Sequence, residues 1–369
     1  MKNIRLIVGT YTQTSNLDYI PRDVERRDGI YTLQASLEAG SAAITSAIGG
    51  IDNPSFLTLN SAKTILYAIS EVEEYKGNFS GIIGSYSVDS KGCLTEINRR
   101  LSGGRGPCHV RLNSTESALV VSNYHGGSVS SFPIENDGSL GEIASFFQHE
   151  GSSVNQERQQ EPHAHSAIYG STESVCYVAD LGKDQIVAYH QDIKTGILSS
   201  FTSATVDVHP GGGPRHMDWH PSGRYLYGIN ELDSTVSVYK LAHDHKLEWI
   251  QSIGTLPNEF EGNSTCADIH VHPSGKYVYG SNRGHDSITA FSVNGETGEL
   301  SFIDTFSTLG ETPRNFAIVG SGDYVVVANQ NSDNIVFFGV DEKTGSLEST
   351  GLEVKVPMPV CIEILSYSQ

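Results

Sequence analysis

Histidine, arginine and carboxylate side chains stand at a handful of short stations along this chain. His163 and His165 lie in PHAHS, Arg215 and His216 in GPRH, Glu231 in NEL, Asp268 in ADIH, Arg283 and His285 in NRGHD, and Arg314 and Asn315 in PRNF. His109 in PCHV, Tyr124 in SNYHG and Gln330 in ANQN add further polar side chains. An imidazole or a carboxylate can take a proton from water. Guanidinium groups grip carboxylate or phosphate oxygens and stabilise a developing oxyanion. Together these groups could add water to an activated carbonyl. No GxSxG elbow accompanies them, so a serine acyl-enzyme is not expected. The pair His163 and His165 would point the same way on a strand and suits zinc, but no third ligand at a fixed spacing completes a site. Neither a metal nor a cofactor is expected.

Such residues need a scaffold that gathers them, and the chain carries one as a repeat. A proline or small residue, a short strand, a turn such as HPSG and an aromatic-rich strand ending in Asn or Asp recur from Pro54, Pro107, Pro162, Pro214, Cys266, Pro313 and Pro359. The starts are 53, 55, 52, 52, 47 and 46 residues apart. Four short strands with their turns need roughly 40–50 residues, the size of one propeller blade. Fourth strands are signalled by Gly138-Ser139-Leu140, Gly196-Ile197-Leu198, Gly298-Glu299-Leu300 and Gly345-Ser346-Leu347. The seventh copy stops after one strand, PVCIEIL, and IRLIVGTYT, GIYTLQ and ITSAIGG near the start supply the rest. The expected fold is an all-β, seven-bladed β-propeller closed by pairing the C-terminal strand with N-terminal strands of the same blade. It forms a single domain over 1–369, with a closing blade of about 1–50 plus 357–369.

In such a ring the start of each first strand and the end of each second strand share one face. Just after the proline-like position the copies read Ser55, Cys108, His163, Arg215, Ala267, Arg314 and Val360. One residue further they read Phe56, His109, Ala164, His216, Asp268, Asn315 and Cys361. Second strands end on Tyr11, Glu71, Tyr124, Leu181, Glu231, Arg283 and Gln330. Histidine, arginine and carboxylate are therefore expected to converge on one mouth of the channel. Two insertions should rim it: 12–28 brings Arg22, Arg26 and Arg27, and 149–161 brings Arg158. Glu231 reads either as a partner for arginine or as a general base. His272 aligns with His220 in the HPSG turn of the opposite face and reads as scaffold; His270 carries less weight than the mouth histidines.

The formal charge is −19, which disfavours nucleic acid and anionic membranes as partners. Glycine at 38 of 369 residues and charged residues at 18% suit many strands joined by tight turns. The start lacks a signal-peptide core, and the five cysteines, odd in number and without a CxxC pair, read as reduced thiols. A cytoplasmic protein, monomer or homodimer, is the expectation.

QEPHAHS, GPRHMDWHP, NEL, ADIHVHPSGKYVYGSNRGHDSI and PRNFAI, together with GTYT and PCHV, resemble the seven-bladed propeller lactonase family over essentially the whole chain. That family includes bacterial propeller-type 6-phosphogluconolactonases and fungal 3-carboxy-cis,cis-muconate lactonising enzymes. The resemblance implies hydrolysis of an anionic sugar lactone, 6-phosphoglucono-1,5-lactone first among them. It implies catalytic roles for His163, Arg215, Glu231 and Arg283. Substrate contacts are expected from His109, Tyr124, His165, His216, Asp268, His285, Arg314, Asn315, Gln330, Arg22 and Arg158, with Arg22, Arg26, Arg27 or Arg158 as the candidate phosphate clamp. A carboxymuconate-type cycloisomerase and a non-catalytic binding platform are the rival readings.

Overall fold

Segments such as YLYGIN and YVVVAN, apolar at successive positions, form strands covered on both faces, whereas LSFIDTFS alternates and lies at an outer edge. In the computed structural model, which describes residues 2–13, 27–170 and 174–368, these segments assemble into seven antiparallel sheets. Six follow chain order. Their innermost strands are Leu57–Leu59, Pro107–Leu112, Ala164–Tyr169, Pro214–Trp219, Thr265–Val271 and Pro313–Val319, which define blades 1 to 6. Blade 7 is composite: Pro359–Ser368 is innermost and pairs with Asn3–Thr10, with Ile30–Ser36 and Ser41–Ile48 outside. Each inner strand packs on the next, and blade 7 packs on blade 1. The fold is the seven-bladed propeller, with no α-helix among the described residues. Among those residues, no helix is long and apolar enough to cross a membrane.

The outer strands depart slightly from the repeat. In blade 2 the fourth strand is Ser145–Gln148, and the buried Leu140 bridges Ile134 before it. In blade 3 the outer edge is split between Leu198–Ser200 and Val206–Asp207 around a 3-10 turn at Thr202–Ala204.

The recurring sequence signals turn out to be hydrogen-bonded fasteners, between blades at one face and within a blade at the other. Tyr67, Tyr227 and Tyr279 on second strands donate their hydroxyls to the carbonyls of Gly138, Gly298 and Gly345 in the next blade (3.1, 3.0 and 2.9 Å). Gly345 has φ +75°, and a Cβ there would meet the ring of Tyr277 at 2.5 Å, so the turn admits no side chain. On the same face His220 donates Nε2–H to the Gly275 carbonyl and His272 to that of Gly322 (3.0 and 3.2 Å), the scaffold role expected of the HPSG turn. At the other end Asn230 and Asn282 donate to hydroxyls on their own third strands, Thr235 and Ser237 or Ser287 and Thr289. Apolar packing fills the space between blades; Tyr279, Phe316, Val325, Val327 and Phe338 form one such cluster. Tyr279→Phe removes the partner of a buried carbonyl. It should cost about 1–2 kcal/mol in urea unfolding while leaving the opposite face, and hence activity, unaltered.

Candidate active site

The mouth is shaped by a defect placed in nearly every blade. Where the inner strand meets that face, the ladder slips between Pro107 and His109, Ala164 and Ser166, Pro214 and His216, Cys266 and Ile269, and Pro313 and Asn315; in blade 7 it slips opposite Gly9 and Thr10. A β-bulge re-aims the residue it leaves out of the ladder. The residues within these bulges are Cys108, His165, Arg215, Ala267 with Asp268, Arg314 and Val360. Most of them line a narrow pocket together with Ser55, Phe56, Glu71, His216 and Asn315.

This register corrects one sequence-level alignment. In blade 3 Ala164, not Pro162, stands opposite the Asp that ends the second strand, so His165 rather than His163 is the counterpart of Arg215, and Ser166 the counterpart of His216. His163 lies before the strand, at the rim. Its backbone N–H donates to Asp180 Oδ1 (2.8 Å), and its ring stacks on Tyr124 at 4.4 Å.

Glu231 is the hub. Its buried carboxylate receives Arg158 Nη2 on Oε1 (2.7 Å), and Arg215 Nε (2.9 Å) and Arg283 Nη2 (3.0 Å) on Oε2. Three guanidiniums thus reach it from the insertion before blade 3, from blade 4 and from blade 5. Burial works against the charge on Glu231, but Arg283, Arg158 and Arg215 outweigh it and hold the carboxyl well below the usual range. Both of its oxygens are engaged by guanidiniums, an arrangement that weakens Glu231 as a proton acceptor. Arg215 also donates to the Ala267 carbonyl and Arg283 to that of Cys266 (2.8 Å). Burial and the neighbouring Arg283 and Arg314 lower Arg215 to about 10, and it stays charged. Arg158 donates to the Tyr124 hydroxyl as well (3.0 Å), tying the rim stack of Tyr124 and His163 to the hub.

Residues 5–364 match the family described as lactonase, 7-bladed beta-propeller. The chain belongs to the seven-bladed β-propeller lactonase family. It is similar to a Bacillus subtilis protein named 6-phosphogluconolactonase, 34% identical over 360 residues that make up 97% of each chain. A Formosa agariphila protein of the same name is 36% identical over 294 residues, 79% of this chain and 82% of its own. Among solved structures, a Pseudomonas aeruginosa periplasmic gluconolactonase, PpgL, has a TM-score of 0.89 and 28% identity, covering 99% of this chain and 100% of that one.

In this member of the family the remaining expected site residues divide into those near the hub and those apart from it. His165 brings Nε2 to 3.9 Å from Glu231, and Arg314 lies over the Tyr11 ring. His109, His216, Asp268 and Asn315 form the next layer down the channel: His216 Nδ1 is 2.7 Å from Asp268, which also accepts from Asn315 Nδ2 at 2.6 Å. His285 instead bonds Ser287 and packs edge-on against Phe260 at the rim. Gln330 is buried, donates to Asn331, and leaves its Oε1 without a hydrogen-bond partner among the described residues. Arg22 and Arg26 lie outside the described residues, and Arg27 is exposed. Two participants escaped selection. Glu71 occupies the position of Glu231 in its own blade and accepts from Tyr11 and Ser55, a match visible in the second-strand ends. His270 bonds Asp268 (3.1 Å) from below; burial opposes its charge, but Asp268 and Asp218 push it up to about 10.

His109, His165 and His216 are uncharged. Burial is the main cause in each, joined by His216 for the first and Arg215 for the others, and it lowers His216 to about 4. A histidine depressed in the fold contributes stability above its unfolded value, near 6.5, and that stability is lost as pH falls toward the folded value. Urea unfolding should therefore weaken from pH 6.5 down to pH 4 by up to roughly 1.4 kcal/mol per pH unit for each of the three. His109→Gln should remove about a third of that slope; an unaltered slope would mean that the histidines are already charged in the fold.

Proposed function

We propose that this protein hydrolyses a sugar lactone, 6-phosphoglucono-1,5-lactone, to 6-phosphogluconate. The observation that carries this reading is the charge at the mouth. In a chain of net charge −19, four arginines (Arg158, Arg215, Arg283, Arg314) face two carboxylates (Glu71, Glu231) beside an uncharged imidazole. That is a local cationic basin for an anionic ligand inside an acidic body. The names borne by the Bacillus subtilis and Formosa agariphila relatives support the phosphorylated lactone, and the name of the Pseudomonas aeruginosa structure supports gluconolactone chemistry.

His163 is the base. Its Nδ1 lies 3.0 Å from the Tyr124 carbonyl, which can only accept, so the proton sits on Nδ1 and the Nε2 lone pair is available. Burial lowers its pKa and keeps the ring uncharged at neutral pH. Nε2 takes a proton as water adds to the lactone carbonyl, and Arg283 and Arg215 stabilise the resulting oxyanion. The tetrahedral adduct then breaks its bond to the ring oxygen, which takes the proton back from the imidazolium. The new carboxylic acid ionises and releases one proton per turnover. Arg158, 40% exposed at the rim, meets the 6-phosphate. A cytoplasmic setting fits five cysteines that form no disulfide.

Stopped-flow proton release with chelator present tests this on 6-phosphoglucono-1,5-lactone and glucono-1,5-lactone. Faster turnover of the phosphorylated lactone is expected; equal rates would dismiss the phosphate contact, and no turnover of either would dismiss the hydrolase. Arg283→Ala should lower kcat/KM by roughly 10²–10³ with the unfolding midpoint retained.

A further inference from the structure

We propose that His216 recognises a hydroxyl group of the lactone, its Nε2 accepting the hydroxyl hydrogen while the acidic part of the ligand stays with the arginines above. The identity of the ligand rests on the hydrolase reading; the polarity of the site does not. Asp268 is buried and collects five hydrogen bonds: from His216 Nδ1 (2.7 Å), His270 Nε2 (3.1 Å), Asn315 Nδ2 (2.6 Å), and the backbone N–H groups of Phe316 (3.2 Å) and Ile269 (3.0 Å). An ionised carboxylate only accepts, so His216 carries its proton on Nδ1. Asp268 is held ionised, well below the usual carboxylate range. Burial opposes this, and His270 and His216 overcome it. His216 itself is uncharged, so its Nε2 offers a lone pair. The ring lines the mouth pocket together with Arg215 and Arg314, and lies edge-on to Phe56 at 5.7 Å.

Its neighbour has the opposite polarity. The His109 ring lies 5.5 Å from that of His216, and its Nδ1 accepts the Ala167 backbone N–H at 3.4 Å. The proton of His109 is therefore on Nε2, which donates. At the same level, Ser166 Oγ is buried with no hydrogen-bond partner among the described residues. His216 thus puts an acceptor on the pocket wall, with the His109 ring, a donor, 5.5 Å away. A sugar hydroxyl both donates and accepts, so it suits this pair. A carboxylate or phosphate oxygen only accepts and would face the His216 lone pair, which excludes the anionic end of the ligand from the channel. Asp268 is a positioning residue here, because it acts by fixing which His216 nitrogen is protonated.

Calorimetric titration of D-gluconate, which needs no turnover, measures this directly on wild type, His216→Phe and His216→Gln. The expected result is affinity at least 10-fold weaker for His216→Phe and within about 3-fold of wild type for His216→Gln, whose amide oxygen still accepts. In kinetics on glucono-1,5-lactone the His216→Phe loss should fall mainly in KM, and should exceed its loss on hydroxyl-free δ-valerolactone at least 10-fold. Equal gluconate affinity in all three proteins overturns the assignment. So does an equal loss in both variants, which would mark a structural role. Gluconate binding that follows this pattern without turnover of any gluconolactone would uphold the hydroxyl site and reject the hydrolase.

Discussion

One carboxylate holds the mouth together. Three guanidiniums within hydrogen-bonding distance of one another's partner would repel strongly in a buried setting, and Glu231 is what makes their proximity tolerable. Desolvating four charges is expensive, so the cluster adds little net stability. Its contribution is geometric. It fastens the insertion before blade 3 to blade 4 through Arg158, and blade 4 to blade 5 through Arg283, and it fixes the direction in which the remaining N–H groups of each guanidinium point. In the proposed hydrolysis, Glu231 bound this way leaves proton transfer to histidine.

A second carboxylate performs the corresponding task one layer deeper. Asp268 draws hydrogen bonds from blades 4, 5 and 6, and Asn315 passes the connection on to blade 7 by accepting the backbone N–H of Ile362 (2.7 Å). The channel wall is therefore cross-linked by polar contacts where the apolar packing between blades thins out. Because His270 takes the charge and His216 stays neutral, the layer presents fixed donors and acceptors rather than a diffuse positive field. Fixed polarity of this kind orients a ligand at small cost in reorganisation.

The architecture was legible because it is written seven times. Recurrent HPSG turns and Gly-x-Leu signals map onto hydrogen bonds between blades, and second strands ending in Asn onto bonds to their own third strands. Candidate site residues were legible for the opposite reason: Arg283 and Asp268 stand alone in their columns, and arginine and glutamate each occur only twice in theirs (Arg215 and Arg314, Glu71 and Glu231). Reading failed where local sequence underdetermines pairing. Pro162 resembles Pro214, but a proline fixes its own φ and not the ladder register, so His163 and His165 were placed two residues away from their true counterparts. An arginine partner for Glu231 was legible, but its pairing with Arg158 was hidden, since Arg158 lies 73 residues away and reaches it only through the folded insertion.

The composite seventh blade also bears on how the ring comes into being. Ile4 pairs with Tyr367, and Gly9 with Cys361, so the sheet that seals the circle joins partners 363 and 352 residues apart in sequence, Asn3–Thr10 being made before Pro359–Ser368. During synthesis Asn3–Thr10 waits with an unpaired edge while six blades emerge, and that edge is open to other chains in the meantime. Closure is among the longest-range contacts a chain of this length can make, which places it among the slow steps of folding. A ribosome paused before Pro359 would hold a nearly complete propeller that is still an arc.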